Sequence, residues 1–170
     1  MEDEVLRQTA IHEAGHAVAH VRLRLDHDGA HIIPDGESLL GAAAGEGQRH
    51  VWDKDQAGPV VLACCAGYAA CLAAGYADDR ARAGTEADFV EAGEVIEHWG
   101  LDGGIEAWQS ESAELMSRPE NRAAVALVAE HLLQRKRLDG DYVEVLIGMA
   151  DGITTEAEFA QYLQLRGIAS

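Results

Sequence analysis

The residues best suited to chemistry gather near the start of the chain, in Thr9-Ala10-Ile11-His12-Glu13-Ala14-Gly15-His16-Ala17-Val18. His12 and His16 are four positions apart, so on a helix both imidazoles share one face and can reach a single ion. Glu13 falls about 100° round such a helix from His12 and about 60° from His16. Its carboxylate can therefore reach a water on the ion without being a ligand itself. This is the donor set of a zinc site that activates water for hydrolysis: His12 and His16 as metal ligands, Glu13 as the catalytic carboxylate. The plainer alternative is three ordinary polar groups on an amphipathic helix. Against it, the histidines interrupt the apolar, inward face, where an unpaired imidazole is costly.

A catalytic zinc site takes a third protein ligand and leaves its fourth position open. A later helix offers Glu86, Asp88, Glu91, Glu94 and His98, and His20 lies one turn beyond His16. Spacing alone does not choose among them. Asp88 also has a competing duty, because Thr85-x-x-Asp88 reads as an N-terminal capping pair with an acid favoured by the helix dipole.

The elements that must position these groups follow from the apolar periodicity. Val5, Leu6, Ala10, Ile11, Ala14, Val18, Val21 and Leu25 recur at steps of three and four, predicting a first helix over residues 3–25. Two short extended pieces over 30–33 and 38–44, separated by Pro34-Asp35-Gly36, predict a small β-ribbon. An apolar second helix follows, capped by Asp53 or Asp55, with Pro59 tolerated only in its opening turn. Residues 78–84 read as a loop and 85–99 as a third helix. Further helices are expected over 105–116, 119–136 and 142–149. The last, over 156–165, opens with Thr155 and Glu158 as a capping box. The expected fold is mainly α with a small β-ribbon, an α+β single domain over 1–170. Residues 1–100 form its metal-site part and 101–170 its C-terminal helical part.

Composition narrows the partners. Thirteen Lys and Arg against 30 Asp and Glu leave a net charge of −17, a field that repels nucleic acid and anionic membrane surfaces. Aromatics are only 5%, so the core must be built from Ala, Val, Leu and Ile. Cys64, Cys65 and Cys71 are odd in number and two are adjacent, which argues for buried thiols in a reducing compartment rather than disulfides. Residues 57–77 carry no charge over 21 positions, the length of a membrane span, yet they are mostly Ala, Gly and Cys. That composition suits a helix packed on all sides by protein. The acidic start has no apolar signal core, and the expected location is the cytoplasm.

Beyond these residues, the chain resembles the zinc-peptidase domain of the FtsH-type AAA proteases over almost its whole length. Thr9 to Ala17 matches the family's Thr-Ala-x-His-Glu-Ala-Gly-His-Ala, and His31–Gly36 with Leu40-Gly41 resembles its Ile-Ile-Pro-x-Gly ribbon. Ala66-Gly67-Tyr68-Ala69-Ala70 is similar to its small-residue helix, and Ala83-Gly84-Thr85-Glu86-Ala87-Asp88 to its Thr-Gly-Ala-x-Asn-Asp segment. Gly152-Ile153-Thr154, Glu158-Phe159 and Gly167-Ile168 resemble its last helix. The resemblance implies a zincin-like helical metallopeptidase domain with Zn²⁺ bound by His12, His16 and Asp88. The implied substrate is a peptide or unfolded polypeptide, cleaved without ATP because the similarity covers the peptidase alone. An extended substrate would pair by strand addition with the ribbon edge at Ser38, Leu39, Leu40 and Gly41. The chain departs from the family at Tyr68, Cys71 and Leu72, which replace an Arg and two acids, at Ala87, which replaces an Asn, and at Asp35, which replaces an Arg. The alternative function is a non-catalytic, zinc-stabilised protein-interaction module. Oligomeric state is not legible in the sequence.

Overall fold

In the computed structural model, residues 2–33, 42–43 and 53–168 are described. The chain runs α1 (Glu2–Leu23), β1 (Gly29–His31), β2 (Ala42–Ala43), α2 (Lys54–Ala73), α3 (Asp78–Ala81), α4 (Glu86–Trp99) and α5 (Ile105–Ser117). It continues with α6 (Pro119–Arg135), β3 (Arg137–Asp139), α7 (Gly140–Ala150) and α8 (Glu156–Leu165). The architecture is mainly helical with one small antiparallel sheet, as the sequence led us to expect.

The two long helices α1 and α2 pack along each other and carry the core: Ala10, Ala14 and Val18 on α1, and Ala63, Ala66 and Ala70 on α2, are all buried. Gly15 is what lets them come so close. A Cβ at that position would lie 2.6 Å from the Ala66 carbonyl oxygen and 2.6 Å from the Ala70 Cβ. Helix α2 is long and apolar enough to cross a membrane by length and composition, and 67% of its apolar window is buried inside the fold. Its side chains are small because it is surrounded by α1, α4 and α5.

Several elements depart from expectation. Helix α2 begins at Lys54, with the Asp53 side chain accepting from the Gln56 N–H, so Pro59 stands beyond the opening turn. The segment expected as a loop over 78–84 contains the short helix α3. The ribbon is three-stranded, ordered β2-β1-β3. Strand β1 pairs Ala30 with Ala43 on one side and with Leu138 on the other. Strand β3 was not foreseen. Lys136 ends α6 with φ 67°, and this turn aims Arg137–Asp139 back along β1 with only Leu138 buried.

The far end of α1 is clamped to the C-terminal helices. Arg22 donates from both terminal nitrogens to the two Asp151 oxygens, each at 2.7 Å, and from Nε to Asn121 Oδ1 at 2.8 Å. Asn121 in turn donates to the Leu115 carbonyl at 2.8 Å. One guanidinium thus joins α1, the first turn of α6 and the end of α7. At the C-terminus the expected capping box is present, with Thr155 and Glu158 each bonding the other's backbone N–H.

Candidate metal centre

Helix α1 presents His12 and His16 on the face that packs against α2, and Asp88, in the first turn of α4, closes over them. His12 Nε2 lies 3.0 Å from His16 Nε2 and 3.2 Å from Asp88 Oδ2, and His16 Nε2 lies 3.3 Å from the same Asp88 oxygen. Three donor atoms from three turns of helix converge on one point, the only such cluster of three or more His, Cys, Asp or Glu among the described residues.

Each donor is held from behind. The His16 Nδ1–H donates to the Ala63 carbonyl on α2 at 2.7 Å, so a neutral ring here carries its lone pair on Nε2. Asp88 is placed by the packing of α4. Its neighbour Phe89 meets the Tyr68 ring edge-on at 5.6 Å between centroids, while Val60, Val61, Cys64, Cys65 and Ala92 form a small apolar cluster between α2 and α4. The capping alternative for Asp88 does not occur. Thr85 makes no side-chain cap, and its hydroxyl donates to the Arg82 carbonyl at 2.9 Å instead. Of the other third-ligand candidates, Glu86, Glu94 and His98 are exposed, and His20 turns its Nδ1–H to the Asp26 carbonyl at 2.9 Å.

The electrostatics favour a cation between these groups. Burial by itself would push the His12 imidazole down, yet Asp88 beside it, with Cys71 and Glu13, holds it at about 10. Burial would likewise raise Asp88, but His16 and His12 keep it well below the usual carboxylate range. The site thus attracts positive charge, and a metal ion can supply that charge in place of a proton. Glu13 is 4% exposed. Burial pushes its carboxyl up, His16 and His12 pull it back, Asp88 raises it and His31 lowers it. The converging donor group contains no thiol, and burial with the nearby Asp88 pushes Cys65 up to about 12.

Does this donor set fit zinc? With bonds of about 2.0–2.1 Å, donors around a tetrahedral ion stand about 3.3–3.4 Å apart, close to the 3.0, 3.2 and 3.3 Å found here. Two neutral imidazoles and one carboxylate also leave the ion a net positive charge, the requirement for Lewis acidity. The His12 side chain is 12% exposed and that of Asp88 20%. The fit is good.

Spacing named His12, Glu13 and His16, the family resemblance named Asp88, and neither foresaw their support from α2. The Ala63 carbonyl bonds His16, and Gly67 lies against both imidazoles. The available signal was a glycine in the middle of a buried helix, a residue that lowers helix stability unless close packing requires it. The proposed substrate edge, Ser38 to Gly41, lies outside the described residues. An apolar groove of about 740 Å³ runs along α6 past Ala126 and Leu133 to Arg7 and Ile11 of α1. None of the four site residues lines it.

Compared with protein-family models and with curated proteins, the chain matches none.

Proposed function

We propose that this chain is a zinc metallopeptidase of the FtsH-like, zincin type, acting on peptides or unfolded polypeptides. The observation that carries the reading is the convergence of His12, His16 and Asp88 within hydrogen-bonding distance of one another, with a buried carboxylate, Glu13, next in sequence to one of them. The resemblance of the motifs on α1, α2 and α4 to that peptidase class supports the choice of reaction.

In this reading His12, His16 and Asp88 hold the ion. Zinc supplies a Lewis acid for a scissile carbonyl and brings the ionisation of water towards neutral pH. Glu13 is the proton carrier. Burial raises its affinity for a proton while the two imidazoles lower it, so it can take a proton from the attacking water and pass it to the leaving amine. The Ala63 carbonyl keeps the His16 ring oriented throughout.

The deciding experiment combines metal analysis with a cleavage assay on an unfolded, fluorescently labelled protein, comparing wild type with Glu13→Gln. Zinc in both and hydrolysis only in the wild type is the expected result. A second reading, a zinc-stabilised interaction module without activity, draws on the 4% exposure of Glu13, the kind of burial a closed structural site shows. Zinc in both proteins and hydrolysis in neither would favour it.

A further inference from the structure

We infer that Gly67 is a positioning residue for the metal centre: its missing side chain lets both imidazoles close on one point, with the His16 ring within reach of the Ala63 carbonyl that holds its Nδ1–H. The inference rests on the metal-site reading of His12, His16 and Asp88, and extends it to a residue with no donor atom of its own.

The steric part is direct. A Cβ at position 67 would lie 2.5 Å from His16 Nε2, 2.6 Å from His12 Cε1 and 2.7 Å from His12 Nδ1, far inside the roughly 3.5 Å at which such atoms rest against each other. Its three nearest neighbours all belong to the two ligand rings. Any residue larger than glycine must therefore displace one imidazole or both. Gly67 has no left-handed backbone to explain it, since it is not among the positive-φ glycines. Space, not conformational freedom, is what the position uses.

The same ring is held at its other end. The His16 Nδ1–H reaches the carbonyl of Ala63, one turn before Gly67 on α2, at 2.7 Å. A ring pushed away at Nε2 loses that bond as well.

Gly15, at the same helix interface, is the internal contrast. A Cβ there strikes the Ala66 backbone oxygen and the Ala70 Cβ, so it serves helix packing, and Gly15→Ala should destabilise the fold whether or not metal is present. Gly67→Ala should act on the imidazoles.

The test uses the full chain. Zinc titration should show affinity reduced about tenfold or more in Gly67→Ala, the range for losing an outer partner of a ligand. Nitrogen-15 spectra of the metal-free protein should show the hydrogen-bonded His16 Nδ1–H in wild type and not in Gly67→Ala. Should Gly67→Ala lower the thermal midpoint, the same change in a His12→Ala/His16→Ala background should not, because the rings it strikes are gone. Wild-type zinc affinity in Gly67→Ala, an unchanged His16 Nδ1–H signal, or equal destabilisation with and without the imidazoles would each overturn the assignment. If the wild type takes up no zinc, the metallopeptidase reading fails, while the His16 signal and the paired stability measurements still decide the role of Gly67.

Discussion

Asp88 Oδ2 sits 3.2 Å from His12 Nε2 although 76 residues separate them in the chain. Nothing local forces that meeting. It depends on α4 packing on α2 while α2 packs on α1. Asp88→Ala should therefore leave the helices folded and remove one of three donors. Zinc affinity should fall by more than the ten- to roughly hundredfold typical of outer partners, with far-ultraviolet circular dichroism unchanged. Retention of wild-type affinity would transfer the third position to another acid.

Glu13→Gln replaces a buried carboxylate by an amide of the same shape. Zinc content should stay at the wild-type level, and hydrolysis should drop by about a hundredfold or more, the scale of general acid–base catalysis. A Glu13→Gln protein as active as the wild type would take the proton-carrying role away from this residue.

Arg22 and Asp151 make a two-pronged, part-buried ion pair. The hydrogen bonds from Arg22 outweigh burial and hold the Asp151 carboxyl below its ordinary value. A carboxyl lowered in the folded state contributes stability above its unfolded pKa of about 3.9 and loses it as pH falls through the folded value. Asp151→Asn should accordingly cost about 1–2 kcal/mol near neutral pH. The gap from wild type should close progressively below about pH 4. Urea denaturation across pH 2.5 to 7.5 tests this, and a gap that does not change with pH would count against the ion pair.

Thr155 caps α8 reciprocally with Glu158. Thr155→Ala should reduce stability by about 1 kcal/mol, with hydrogen exchange rising first at the start of α8. Uniform loss of protection across the chain would show that α8 is not an independently fraying end.

The legible and illegible parts of this chain divide by the range of the forces involved. Helix α1, a cap of α2 at Asp53 or Asp55 and the Thr155–Glu158 box are written in nearest-neighbour spacing, and each is present, the cap at Asp53. His12, Glu13 and His16 share one turn, so their grouping was also readable. Asp88 was not separable from Glu86, Glu91, Glu94 or His98 by spacing, because which face of α4 meets α1 is settled by Phe89 and Ala92 packing on α2. Strand β3 escaped because three residues with a single buried side chain, Leu138, have no period to detect. The Ala63 carbonyl was invisible for a simpler reason: a backbone acceptor has no letter in a sequence.

The central place of β1 in the sheet sets an order of assembly. Gly29, Ala30 and His31 pair with Asp139, Leu138 and Arg137, and α1 also rests on α6. A growing chain emerging from the ribosome therefore carries all four candidate site residues long before the partners that complete their scaffold have been made. In chain order the imidazoles' own supports, Ala63 and Asp88, precede the strand that completes the sheet.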